Sequence, residues 1–352
     1  MKKLLLFTLA TILSFSFVAC SSTTESETTS ASKSDTTPVT ESEDAQTMET
    51  ETETDTDAEA KLPTSITITT LNGAKEKVKI EVPYDPQRIA VMDLAALDIL
   101  DNLGMGDRVV GVSKGFSIDY LQSYITNDAI LNLGTIKEAN LEAVMECEPD
   151  VIFIGGRLAS IYDELLEIAP VVYLSVNVES GLVNSTGENA TTIASMFGVE
   201  DMVSGLLADF DARIQALTEF ANGKTAVVGM VNAGGFNVLG NDGRCSIIGV
   251  EIGFHNMSDS EITSTHGNES SFELLVELAP DYIFVMDRDA AIGTEGAKLA
   301  QEVMANELVM TTSAYQNGNI VYLEHSNVWY TAEGGITALD TMLSDLEKAL
   351  LQ

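Results

Sequence analysis

Histidine, cysteine and cationic side chains are all scarce in this 352-residue chain, and each scarcity removes a class of function. There are three histidines and three cysteines. Cys147 and Cys245 lack the C-x-x-C spacing of a zinc or thiol-redox site and read as small core residues. His255, His266 and His325 are too few to furnish the several ligands of a zinc or manganese site. Only 18 Lys and Arg stand against 54 Asp and Glu, a net charge of −36. Residues 1–60 hold three of the basic and twelve of the acidic side chains, which leaves about −27 on the rest. Such a surplus argues against nucleic acid and against anionic lipid as partners. The arginines number six: Arg88, Arg108, Arg157, Arg213, Arg244 and Arg288.

What is present begins with a leader. Lys2 and Lys3 precede an apolar run from Leu4 to Val18, then small residues and Cys20, which reads as a secretory signal over 1–20. The run is shorter than the roughly 20 residues a spanning helix needs. Phe17-Val18-Ala19-Cys20 resembles a bacterial lipobox, with Phe17 in place of the usual Leu, and makes Cys20 the expected lipidated residue. Residues 21–62 are almost entirely Ser, Thr, Glu, Asp and Ala. That composition buries too little apolar surface to offset the entropy of ordering, so it reads as an acidic, disordered tether.

Two segments 131 residues apart repeat each other: Leu141 to Arg157 (LEAVMECEPDVIFIGGR) and Phe272 to Arg288 (FELLVELAPDYIFVMDR). Each reads as an amphipathic helix, a Pro-Asp stop, a short apolar strand, and an Arg at the strand's end. Strands that apolar are covered on both faces, as in a parallel α/β sheet. The reading is therefore an α/β fold of two Rossmann-like lobes, residues 63–185 and 223–352, joined by one long helix over 186–222 that breaks near Gly198. A hairpin about Asn72-Gly73 opens the first lobe. Ligands of such sheets sit beyond the carboxyl ends of the strands.

Arg157, Arg244 and Arg288 all fall at or just after strand ends. Converging on one cleft, they would form a positive well in a negative surround and select an anion, with planar donors that also stack on flat rings. His266, in Thr265-His266-Gly267, occupies the place that Thr135 holds in the first repeat. Trp329-Tyr330 follows the last strand. His266 and Tyr330 would face each other across a ligand, imidazole and phenol both suiting ferric iron. A bare zinc or manganese ion would be repelled by the arginines, whereas haem or a corrinoid, with Tyr330 or His266 axial, stays open. Gly111-Val112-Ser113-Lys114-Gly115 spells the G-x-S-x-G of a hydrolase elbow, but no oxyanion glycine motif accompanies it and the repeat would go unexplained. No catalytic role is assigned.

The set Ile154-Gly155-Gly156-Arg157, Tyr162-Asp163, Gly243-Arg244, Thr265-His266-Gly267, Pro280 to Arg288 and Trp329-Tyr330 resembles the substrate-binding lipoproteins of ferric-siderophore ABC importers, in particular those for catecholates of the enterobactin and petrobactin types. The resemblance runs over residues 64–352. It implies the class III periplasmic-binding-protein fold, with Arg157, Arg244, Arg288 and Trp329 at the ligand. It also implies His266 and Tyr330 completing the iron shell of a tetradentate siderophore. No intrinsic cofactor is implied, Fe(III) arriving as the siderophore complex. The implied partners are the ferric siderophore and an ABC permease, with Asp98 and Glu251 as candidate docking acids, for a monomer held by its lipid on the extracytoplasmic face of the membrane. His325, near Tyr330, and Asp242, beside Arg244, depart from the usual pattern.

Overall fold

A computed structural model describes residues 62–258 and 266–352; the leader, Cys20, the tether to Lys61, and Thr265 lie outside the described residues. The chain opens with an antiparallel hairpin, β1 (Ser65–Leu71) and β2 (Lys77–Pro83). Asn72 closes its turn by accepting the amides of Ala74 and Glu76 on one side-chain oxygen, at 3.0 and 2.9 Å. A five-stranded parallel sheet follows: β3 (Ile89–Met92), β4 (Val109–Val112), β5 (Leu131–Asn132), β6 (Val151–Ile154) and β7 (Val171–Tyr173), in the order β5-β4-β3-β6-β7. The second sheet contains β8 (Thr225–Asn232), β9 (Gly235–Leu239), β10 (His255–Asn256), β11 (Asn268–Glu269), β12 (Tyr282–Asp287) and β13 (Ile320–Tyr322). Its order is β11-β9-β8-β12-β13, with β10 beside the start of β8. It is mixed because β8 and β9 form an antiparallel hairpin.

The repeat occupies the same place in both sheets. β6 lies between β3 and β7, and β12 lies between β8 and β13. Its Pro-Asp has a physical task. Asp150 Oδ2 accepts the amides of Gln87 and Arg88 at 2.7 and 2.9 Å, just before β3, and Asp281 Oδ2 accepts the amide and hydroxyl of Thr225 at 2.9 Å, where β8 starts. The repeated acid thus joins the start of its own strand to the first strand of its sheet.

Period-two alternation divides the apolar residues into three cores. Ala90, Met92, Ile152 and Ile154 face the outer side of the first sheet, and Val227, Ile283 and Val285 the outer side of the second. Val91, Phe153, Met230 and Phe284 enter one continuous core that runs through both lobes, with Ile193, Leu217 and Leu343. Each such side chain contributes about 1.5–3 kcal/mol on full burial.

The connection between lobes differs from the single helix expected over 186–222. It is three helices, Leu182–Ser195, Asp201–Leu206 and Phe210–Ala221, the first interruption falling at Gly198 with φ 67°. A backbone at positive φ cannot continue a right-handed helix. The C-terminal helix Ile336–Leu350 also returns to pack on the helix Leu94–Asn102 of the first lobe, so the lobes are joined at more than the linker.

Two carboxylates fasten these joints, and both correct a sequence expectation. Asp98 is 0% exposed, so it is no surface docking acid. It accepts the amides of Thr337 and Ala338 at 3.0 and 2.9 Å, capping the final helix from the opposite lobe, and also the Tyr120 hydroxyl at 2.9 Å and Asn102 Nδ2 at 2.7 Å. Glu251, half-buried, caps Leu182–Ser195 the same way, its Oε1 accepting the amides of Leu182 and Val183. Both turn to a helix end, where anionic oxygens satisfy orphan N–H groups.

Asp98→Asn is expected to cost about 1–3 kcal/mol of unfolding free energy, because an amide cannot accept on both of its atoms and strands one buried donor. Urea denaturation would show it; an unchanged midpoint and slope would refute the cap as a stabilising joint.

Candidate functional site

The strand ends bring three of the six arginines together around one phenol. Arg157 follows β6 through Gly155-Gly156, where a side chain on Gly155 would collide with Asp93, so the chain passes directly over that acid into the cleft. Arg244 lies on the loop after β9, and Arg288 is the first residue after β12. Tyr330 comes from the short helix Ser326–Thr331.

The Arg157 guanidinium carbon lies 5.5 Å from the centre of the Tyr330 ring and that of Arg244 4.6 Å. Arg244 Nε also donates to the Tyr330 carbonyl at 3.3 Å, and Arg288 donates to the Tyr330 hydroxyl. Arg157 comes from one lobe and Arg244 and Arg288 from the other. Asp289 pairs with Arg288, at 2.9 Å; Asp287 caps the helix that Arg288 begins, accepting the Ala290 amide. The buried Arg157 Nη2 and Arg288 Nε have no hydrogen-bond partner among the described residues. Unpartnered buried guanidinium N–H groups carry a desolvation cost that an anionic ligand would remove.

Burial alone would raise the Tyr330 phenol, but the Arg288 hydrogen bond and the charges of Arg244, Arg157 and Arg288 outweigh it and hold it below the ordinary tyrosine range. Burial, then Arg288, Arg244, Lys137 and Arg157, lower the His266 imidazole as well. Both shifts favour the ligating form, phenolate and neutral imidazole. The Tyr330 hydroxyl is 3.5 Å from His266 Nδ1, and the rings are near parallel, 23° apart. The two therefore sit side by side in the same lobe and do not face each other across the cleft. Adjacent ligands of a six-coordinate hard cation with bonds of about 2.1 Å are about 3 Å apart, so the pair suits neighbouring positions on one ion.

The space around Tyr330 has two parts that meet at Tyr330 and Thr331. The smaller, about 210 Å³, reaches under Arg157 and Arg244 to Asp93 and Glu333. The larger, about 620 Å³, runs between the lobes past Lys114, Phe116, Thr135, Lys137 and Ile292. Its size is that of a site for a small-molecule ligand. Lys137, Asp93 and Glu333 were missed in the sequence. The repeat held a signal for Lys137: Thr135, the counterpart of His266, lines the cleft two residues earlier.

Trp329 does not line the cleft. It is 0% exposed and donates Nε1 to Asp345 Oδ2 at 2.9 Å. Successive helical residues point about 100° apart, so burying Trp329 turns Tyr330 outward. Asp345 also accepts from the His325 amide at 3.0 Å and binds His325 Nδ1 at 2.7 Å, so this acid anchors the Tyr330 helix and takes His325 away from the phenol. Asp242 is exposed; the acids that share the cavity with Arg244 are Asp93 and Glu333. No group of three or more His, Cys, Asp or Glu placed to hold a metal ion occurs among the described residues.

The family model described as periplasmic binding protein matches residues 89–326. The petrobactin-binding protein YclQ of Bacillus subtilis is 32% identical over 283 residues, covering 80% of this chain and 88% of that protein. Its crystal structure superposes with a TM-score of 0.74 over 82% of this chain and 99% of YclQ. The ferric-anguibactin-binding protein FatB of Vibrio anguillarum is 28% identical over 270 residues, 75% of this chain and 82% of FatB. The catecholate-siderophore binding protein VctP from Vibrio cholerae, 30% identical, superposes with a TM-score of 0.72 over 80% of this chain and all of VctP. By family match, fold and the two-lobed cleft, this chain belongs to the periplasmic binding proteins.

Proposed function

We propose that the protein captures an anionic ferric siderophore of the catecholate type in the cleft around Tyr330 and delivers it to an ABC importer from the outer face of the cell membrane, where the lipidated Cys20 and the acidic tether hold it as a monomer. The observation that carries this reading is the set of three guanidinium groups, drawn from both lobes, around one phenol. It is supported by relatives whose names state petrobactin, anguibactin and catecholate siderophores as their ligands.

The chemistry is binding without bond-making. Arg157, Arg244 and Arg288 offer planar donors to catecholate oxygens and flat faces to the rings. When a tetradentate siderophore leaves two positions of the iron open, Tyr330 and His266 occupy them. Fe(III) is cargo here, held mainly by the siderophore. The ligands named for the relatives favour the ferric chelate over haem or a corrinoid. Asp98 and Glu251 are spent on helix caps, so permease docking falls to other surface groups.

Arg157→Ala, Arg244→Ala and Arg288→Ala should each weaken ferric catecholate binding by roughly 2–5 kcal/mol, as for removal of one partner of a buried charge pair. Calorimetric titration tests this, and unchanged affinity in all three would sink the model. Tyr330→Phe should abolish a phenolate-to-iron absorption band with a tetradentate bis-catecholate yet spare binding of a hexadentate tris-catecholate; equal loss for both would rule out direct ligation. Trp329, buried one residue from Tyr330, should be quenched through energy transfer to the coloured chelate. Absence of quenching by every ferric siderophore tried would reject the assignment.

A further inference from the structure

The cavity that holds Arg157 and Arg244 also contains two acids, Asp93 and Glu333. Glu333, on the turn between the Tyr330 helix and the final helix, lines that cavity together with both arginines. Its Oε1 accepts the amide of Cys245 at 3.2 Å. Cys245 directly follows Arg244 and takes φ 60°, so one turn donates an N–H to the carboxyl group and sets the Arg244 charge in the same cavity. The backbone beyond Glu333 is packed closely against the first lobe: side chains on Gly334 or Gly335 would collide with Val176 and with Asp98. Glu333 is held in the wall by the Cys245 amide.

The charged and titratable groups facing it come from several elements. Arg244 and Cys245 approach from the loop after β9, and Glu251 from the end of the short helix Ile247–Val250. Arg157 and Asp93 share the cavity from the first lobe, Tyr330 lies on the preceding helix, and Asp98 sits beneath Gly335.

On the siderophore reading, the charge of the chelate must matter here. A tris-catecholate of Fe(III) carries three negative charges, a bis-catecholate one. We propose that Glu333 is a specificity-determining residue for ligand charge, its carboxylate beside Arg244 discriminating against multiply charged ferric chelates in favour of singly charged ones. The cations of the cleft attract both chelates, and the carboxylate subtracts from that attraction in proportion to the charge on the ligand. Burial pushes the Glu333 carboxyl up to about 7, against the opposing effects of Arg244 and the Cys245 amide, with Glu251 adding to the rise. Its charge is then absent below that pH and present above it.

Wild type and Glu333→Gln would be titrated with the Fe(III) complexes of a hexadentate tris-catechol and a tetradentate bis-catechol. Glutamine keeps an acceptor for the Cys245 amide, and thermal melting checks its fold. The substitution should raise the ratio of tris- to bis-catecholate affinity by about tenfold, each charge on the ligand feeling the loss. A second measurement needs no variant: wild-type affinity for the tris-catecholate, which leaves no iron position for Tyr330 or His266, should fall several-fold between pH 6 and pH 8. A ratio unmoved by the substitution, or a tris-catecholate affinity flat across that pH range, overturns the role of Glu333 alone. Failure of the wild type to bind either chelate overturns the siderophore reading, and this inference with it.

Discussion

A cleft built from two lobes has a defined shape only where the lobes are fixed to each other, and here that constraint rests on carboxylates exchanged across the boundary. Asp98 of the first lobe holds the N-terminus of the last helix, and Glu251 of the second holds the N-terminus of the first linking helix. A buried carboxylate that satisfies helix-end N–H groups is tolerated only while those donors stay in place. Sliding one lobe over the other would strand charge and donors together. The shared apolar core, running from Val91 through Leu343 to Phe284, resists the same displacement by burial. Arg157 therefore meets Arg244 and Arg288 at set distances, and any opening of the cleft has to occur by small rocking about these joints.

On that frame, the binding chemistry is one of charge concentrated against the trend of the molecule. The chain is strongly acidic, yet Arg157, Arg244, Lys114 and Lys137 line its cleft and Arg288 stands beside Tyr330. A low-dielectric recess of one sign within a surround of the other directs an anion to a single place. The three arginines lower the Tyr330 phenol against its burial, and burial together with the arginines and Lys137 lowers the His266 imidazole, so anion capture and metal ligation draw on shared charges. Asp345 completes the arrangement from behind. It grips Trp329 and His325 and thereby aims Tyr330, one residue along, into the cleft.

Much of this was legible in the linear chain. The 131-residue repeat placed β6 and β12 at equivalent positions in two sheets and put Arg157 and Arg288 at their carboxyl ends, because an apolar run stopped by Pro-Asp leaves little choice of element. Arg244 and Tyr330 were found from strand ends in the same way. Of the assignments that failed, three did so for one reason. Trp329, Asp98 and Glu251 were read from chemical type and sequence neighbourhood, but burial decides their roles. Helical phase sends Trp329 inward when Tyr330 points out. Asp98 and Glu251 look like solvated acids until a helix end from the opposite lobe arrives to meet them. Lys137 and Glu333 were overlooked because nothing local distinguishes a cleft lysine or a cavity glutamate from a surface one.

The sequence by itself determined the alternation of strands and helices, the duplication, and which arginines end up at strand ends, since these follow from periodicity and from the conformational limits of proline and glycine. Only the tertiary structure decided which charges meet. Whether a carboxylate is a cap, a counter-charge or a solvated side chain depends on groups more than a hundred residues away, and the energy of a charge is set by its surroundings and not by its neighbours in the chain.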